Sequence, residues 1–317
     1  MTLVLLLVTA ALAFPWAAAA AARRLAAVLP PKEACAAITS AAVLAAGGTG
    51  AALFGLAHVP FLAGLEQLTL AQVATEWPAA LPVAALAAVV MAIQLVLVIR
   101  RWFEHRSLLA RAWVAAADAE VDGEVDGDLL VVPGECPDAY ALPGRHRRPG
   151  RIVVTRAMLQ ALGDREREVL IAHERAHLTG RHHLLSVAVH LTAAVHPALR
   201  SLRPALDFHL ERWADEAAAR AVGNRRLAAA AIARAALAGA SAARPARGPL
   251  LAVNSGPVPQ RVEALLGPLP VRPEAPSARA AALGLVLSVL ACAVAAVAIA
   301  YGLHEYVELA AEGIRGR

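Results

Sequence analysis

Two histidines four residues apart stand in the run His173-Glu174-Arg175-Ala176-His177. On an α-helix, positions i and i+4 lie one above the other on the same face, so both imidazoles can converge on one divalent cation. Glu174 follows the first of them directly and is offset around the helix. That offset suits it to a water beside the cation rather than to the cation itself. Zinc held by three protein ligands keeps a further position open, and it lowers the pKa of a bound water from roughly 15.7 to about 7. The pattern therefore predicts hydrolytic chemistry at one zinc per chain. Context strengthens it, because no Pro or Gly interrupts residues 164–179, and seven of the 11 histidines fall between His173 and His209.

The third ligand has two candidates. His183 completes the spacing H-E-x-x-H-x-x-G-x-x-H, with Gly180 in place, which is the metzincin pattern. That class also needs a methionine turn downstream, and Met1, Met91 and Met158 all lie upstream. The other candidate is Glu211, which shares a helix face with Asp215 four residues on. One of this pair can bind the metal while the other accepts a hydrogen bond from a ligand imidazole and fixes its tautomer. A competing reading is an exposed acidic face paired with Arg212 or Arg220. His182 and His183 read as surface residues or as partners behind the ligands. His190 and His196 read as facing the core or a lipid interface, and His209 points away from the face of Glu211.

The elements that must position these residues come next. A helical stretch spans Arg106 to Ala119, followed by two acidic glycine turns, Val121-Asp122-Gly123 and Val125-Asp126-Gly127. These lack the oxygen spacing of a calcium loop and read as solvated hairpins. Strand-like runs follow at Leu129 to Pro133 and Arg151 to Thr155. Gly163-Asp164 gives a break and an N-cap for a helix from Arg165 to about Gly180. A second helix runs from His183 to His196, ended by Pro197, and a third from Pro204 to Gly223. Pro, Arg and Gly then punctuate a link to a short amphipathic helix at Gln260 to Leu266. The abundance of alanine carries no motif.

Composition says where the rest of the chain goes. Of 317 residues, 59% are hydrophobic and 17% charged, against about 45–50% and roughly 25% in soluble domains; mean hydropathy is +0.56. Four segments have the length of about 20 apolar residues that a bilayer requires: Thr2 to Ala22, Ala34 to Ala57, Ala79 to Ile99 and Ala280 to Gly302. The first has no basic residue ahead of its apolar stretch, which favours a retained span over a cleaved signal peptide. Gly47, Gly48, Gly50 and Gly55 in the second would let a neighbouring helix approach closely. Arg23, Arg24 and Lys32 mark the first loop as cytoplasmic, as Arg100 and Arg101 do for everything up to Arg279. The expected organisation is mostly α-helical and multi-pass. A three-span membrane region fills 1–101, a cytoplasmic α+β zincin-like metallopeptidase domain 102–278, and a final span with a short tail 279–317. The net charge of +5 belongs to the ends of spans, and with 4% aromatic residues nothing points to direct nucleic-acid binding. Cys35, Cys136 and Cys292 have no C-x-x-C spacing, so neither a disulfide framework nor a thiolate site is expected.

His173-Glu174-Arg175-Ala176-His177 followed by Arg181-His182, with a later Glu211-Arg212-Trp213-Ala214-Asp215, resembles the gluzincin-type integral-membrane metallopeptidases. These include the HtpX and CAAX-prenyl endopeptidases and the BlaR/MecR antibiotic-sensor proteases. Asp138 to Leu142 and Arg151 to Leu159 are similar to the segment before the zinc helix in the same families, and the span layout is most similar to BlaR/MecR. The resemblance implies His173, His177 and Glu211 as zinc ligands, Glu174 as general base and Asp215 as the residue that orients a ligand. It implies an edge strand at Ala139 to Leu142 that pairs with a peptide substrate. Its partners would be a protein substrate, including a transcriptional repressor in a signalling role, and the lipid bilayer of the cell membrane. Membrane-protein quality control and a non-proteolytic signalling scaffold are the alternatives. BlaR/MecR proteins carry a large extracellular penicillin-binding domain after the last span; here His304 to Arg317 follow it, so β-lactam sensing is not expected.

Overall fold

The computed structural model describes residues 2–145, 148–241 and 257–269, with 301, 302, 305, 308, 309, 312 and 313. All of the expected fourth span, Ala280 to Gly302, except its last two residues lies outside the described residues, as does Cys292. Five helices come first: α1 (Thr2–Ala26), α2 (Pro31–Ala57), α3 (Val59–Leu65), α4 (Leu70–Glu76) and α5 (Ala80–Ala119). Four short strands follow: β1 (Glu124–Asp126), β2 (Leu129–Val132), β3 (Ala139–Leu142) and β4 (Arg151–Thr155). The helices α6 (Arg156–Gln160), α7 (Asp164–Thr179), α8 (His182–Val195), α9 (Leu202–Val222), α10 (Arg225–Ser241) and α11 (Val258–Leu266) complete the order, with a 3-10 turn, Pro197–Ser201, ahead of α9. The protein is mostly helical with one small sheet.

The sheet runs β1-β2-β4-β3. β1 and β2 form an antiparallel hairpin whose turn includes Gly127 at φ 58, a left-handed conformation that glycine adopts without a Cβ clash. β2 and β4 are parallel, and β3 lies antiparallel to β4 at the sheet edge. Successive residues on β4 serve opposite layers. Ile152 and Val154 pack with Met158, Leu162 and Leu170, and Val153 packs with Trp113 and Ala116 of α5 and Leu130 of β2. Trp113 is pinned further by its indole N–H, which donates to the Pro143 carbonyl at 3.0 Å.

Several expected boundaries shift for physical reasons. The N-cap of α7 is Gly163, not Asp164: the Gly163 N–H donates to the Glu166 carboxylate at 2.9 Å, and Asp164 sits in the first turn paired with Arg167 at 2.8 Å. Both acids favour the positive end of the helix. α9 starts at Leu202, which puts Pro204 in its first turn, where a missing N–H breaks no intrahelical bond. It ends against Gly223 at φ 68. The stretch read as a link after Gly223 contains α10, a 17-residue helix.

α5 is one 40-residue helix that joins the expected third span to the helix expected at Arg106 to Ala119. No Pro or Gly follows Pro82 within it, so nothing stops it. At about 1.5 Å per residue its length is close to twice the ~30 Å hydrocarbon core of a bilayer. The boundary expected at 101/102 therefore falls inside a continuous helix. α2 and α5 are long and apolar enough to cross a membrane, and only 11% of the most apolar window of α5 is buried inside the protein. α1 covers the expected first span.

The N-terminal helices are not a separate layer. Ala18, Ala22 and Leu25 of α1 and Ala34, Ile38, Ala41 and Ala45 of α2 share one core with Val189 of α8, Leu199 of the turn, and Leu202, Leu206 and Leu210 of α9. Arg23 of α1 donates to the Ser201 hydroxyl. On the other side, α8 lies along α5, where Gln94 donates to the Val195 carbonyl at 2.8 Å and Arg101 to the His190 carbonyl at 3.3 Å.

Candidate metal centre

α7 packs against α9, and this contact brings the two halves of the site together. Nε2 of His173 and Nε2 of His177 are 3.2 Å apart. Glu211 Oε2 lies 3.6 Å from the first and Glu211 Oε1 3.5 Å from the second. The three side chains offer ligand atoms that all lie within 4.8 Å of one another. All three are buried, with Glu211 at 0% exposure. Neither carboxylate oxygen of Glu211 meets hydrogen-bond geometry; Oε2 has an ion pair with Arg261 at 2.7 Å, and a fully buried carboxylate so sparsely partnered is costly. Two imidazoles and one carboxylate form a donor set that suits zinc, and Oε1, which has no hydrogen-bond partner, is what a cation would satisfy. The residues present fit the metal. His183, the metzincin alternative, is not part of this group.

Behind the ligands stands a second layer. Asp215 Oδ1 lies 3.0 Å from Nδ1 of His173, the nitrogen that faces away from the cluster. Arg261, from α11, donates to both Asp215 oxygens, from Nε at 2.8 Å and from Nη2 at 2.6 Å. Its Nη1 lies 2.7 Å from Glu211 Oε2, an ion pair off the hydrogen-bond line. Burial acts to raise the Asp215 carboxyl, and the hydrogen bonds from Arg261, with His173 close beside it, overcome it and hold the group below its ordinary range. Sequence reasoning gave Arg261 no role. A signal existed: on α11 it occupies the same helical stripe as Val258, Val262 and Leu265, a place for an apolar residue.

His177 is backed differently. Its Nδ1 lies 2.8 Å from Nδ1 of His182, a ring that is 1% exposed. On its other side His182 meets the Trp213 ring at a centroid distance of 4.4 Å. Of the two readings open for His182, surface or behind a ligand, burial excludes the first. Burial lowers its pKa to about 3, so the imidazole is neutral. The remaining histidines lie elsewhere. His196 Nε2 is 3.1 Å from the Leu12 carbonyl, His190 is 3.3 Å from Arg203, and His209 is buried beside Phe208.

Glu174 is buried next to the ligands, at 3% exposure. Burial pushes its carboxyl up to about 7, against the opposing pull of His173 and the Ala141 N–H, which donates to it. A carboxyl that titrates near neutrality exchanges protons readily at that pH. The Asp138 carbonyl takes the Thr155 N–H of β4, so along β3 the alternate residues Ala139 and Ala141 turn their backbone toward α7. A cleft of about 240 Å³ opens beside Glu174 and His173, between Ala139 of β3 and Ala231, Ile232 and Ala235 of α10.

A family model described as Peptidase family M48 matches residues 109–205. The match takes in the end of α5, the sheet and His173, Glu174 and His177, and it stops before Glu211. No curated protein and no solved structure matches the chain. Peptidases of this family are zinc-dependent, and the match, together with the buried His173, His177 and Glu211 group, supports a zincin-type metallopeptidase.

Proposed function

We propose that the chain is a zinc endopeptidase set in a membrane, cutting protein substrates at the cytosolic face. The observation that carries this reading is the convergence of His173, His177 and Glu211 from two helices, with Glu174 beside them at the head of a cleft. Zinc would be held by these three side chains, where it would act as a Lewis acid on a carbonyl and on water. Glu174 then takes the proton of the attacking water and hands it to the leaving amine, a transfer suited to a carboxyl lifted toward neutrality. Asp215 keeps the His173 proton on Nδ1, so that Nε2 offers its lone pair. An extended peptide would lie along the edge strand β3, Ala139 to Leu142, in the manner of strand addition.

The membrane setting rests on the exposed apolar surface of α5 and on the apolar length of α2. Polar Gln94, inside the expected third span and five residues from its end, spends its donor on the end of α8. A polar side chain at that depth needs such a partner. α8, and with it α9 and its Glu211, would thereby sit against the bilayer rather than hang below it. The resemblance to BlaR/MecR favours regulated cleavage of a transcriptional repressor, and quality control of membrane proteins is the second reading. A scaffold that kept the fold without proteolysis would have no use for Glu174.

Glu174→Gln is the test. Purified in detergent, it should keep one zinc per chain and lose cleavage of a protein substrate by about 10²–10⁴-fold. Chelation of the wild type should abolish cleavage and zinc should restore it. Undiminished proteolysis by Glu174→Gln removes the assigned base.

A further inference from the structure

We infer that His182 is a positioning residue for the metal site: a neutral imidazole that accepts the Nδ1 proton of His177 and so fixes the tautomer and angle of that ligand. This rests on the metal-centre reading above. His177 turns Nε2 toward His173 and Glu211, so as a ligand it carries its proton on Nδ1. The atom facing that nitrogen, at 2.8 Å, is Nδ1 of His182. Two ring nitrogens this close need one donor and one acceptor, which leaves His182 accepting and puts its own proton on Nε2.

Three local features hold the ring there. Arg181, immediately before it, takes a left-handed backbone at φ 50, a conformation that costs a non-glycine residue energy and tends to mark functional sites. It turns the chain from α7 back so that His182 lies over His177. Gly180 leaves the space, since a Cβ at that position would stand 2.5 Å from His182 Nε2. Trp213, two residues past Glu211 on α9, packs on the ring. His182 therefore joins the helix of one ligand to the helix of another.

Nε2 of His182 is buried and has no hydrogen-bond partner. A residue needed only to fill the space beside Trp213 would do better as an apolar ring, because an unpaired buried N–H is a penalty. The imidazole is explained by what its Nδ1 does. Its neutrality has a reason too. Glu174, Glu211 and Asp215 already bury three carboxyl groups beside the Arg261 guanidinium, so a carboxylate at 182 would add a further buried negative charge. His173 is thus backed by a carboxylate and His177 by an uncharged acceptor.

The test measures zinc affinity of the full chain in detergent by competition with a chelator, so activity is not the readout. His182→Phe keeps the ring against Trp213 and removes the acceptor; it should weaken zinc binding about 10–100-fold with unchanged circular dichroism. His182→Gln restores an acceptor and should recover most of that loss. Gly180→Ala, which crowds the ring, should weaken zinc binding alone and add little on top of His182→Phe. Wild-type affinity in His182→Phe, or in Gly180→Ala, overturns the assignment, and so does a His182→Gln variant no better than a folded His182→Phe. If His182→Phe fails to fold, the Gly180→Ala affinity decides. A wild type that binds no zinc, or a Glu211→Gln variant that binds it as tightly as wild type, would instead remove the metal-centre reading.

Discussion

Glu211 and Asp215 put two carboxylates on one face of α9, both buried, and the Arg261 guanidinium touches both. Breaking a buried ion pair from one side leaves an uncompensated charge and costs about 3–5 kcal/mol. Arg261→Met should therefore lower the thermal midpoint of the metal-free protein sharply. Zinc supplies positive charge to the same carboxylates, so the rise in midpoint on adding zinc should be larger in Arg261→Met than in wild type. Arg261→Lys should recover only part of the loss, because an ammonium cannot match a carboxylate at two points. Thermal unfolding with and without zinc measures this, and an equal zinc-induced shift in the two proteins would sink it. At this scale the sequence was legible where partners are close. His173, Glu174 and His177 announce themselves through a single helical period. Arg261 meets Asp215 from 46 residues away, and no local pattern encodes such a contact. His182 was visible as a histidine, but its direction depends on the left-handed backbone of Arg181.

α10 was hidden for a different reason. Amphipathic periodicity needs contrast between faces, and Arg225–Ser241 is dominated by alanine, which reads alike on every face. Propensity was the signal that remained, since alanine is the best helix former. That smallness has a use at the cleft, where Ala231 and Ala235 stand across from Ala139 and leave room for a chain. Ala235→Trp should fill this space and raise KM for a protein substrate about tenfold, the scale of one displaced apolar side chain. Zinc content and the rate at saturation should stay near wild type. A KM unchanged by the indole would mean that substrate does not run past α10. The sheet was easier to read: β4 stands out as a β-branched run, and the short hairpin at Gly127 follows from a glycine turn. β3 was visible only through family resemblance, because four residues carry too little alternation on their own. α5 defeats a division by hydropathy, since its apolar and polar halves belong to one uninterrupted helix.

For the whole molecule, the reading into membrane region and catalytic domain follows the change in composition at Arg100-Arg101, but the packing does not stop there. Val189, Leu199, Leu202, Leu206 and Leu210 are all fully buried, and their shared neighbours are the alanines, Leu25 and Ile38 of α1 and α2. Where helices meet in lipid, close packing rather than removal from water holds them together, and the small alanines of α1 and α2 let the leucines of α9 pack closely against them. The same contacts set the position of α9, and α9 carries Glu211. A chain beginning after α2, at residue 58, should therefore aggregate in detergent-free buffer. In micelles it should bind zinc far more weakly than the full chain, because Glu211 would no longer be held opposite His173 and His177. Separate expression of α1 and α2 in the same membrane should restore part of that binding, since the missing surface is supplied without a covalent link. Zinc titration of the three preparations distinguishes the cases. A soluble, zinc-loaded product from the shortened chain would mean that the catalytic part folds by itself and that the first two helices only tether it.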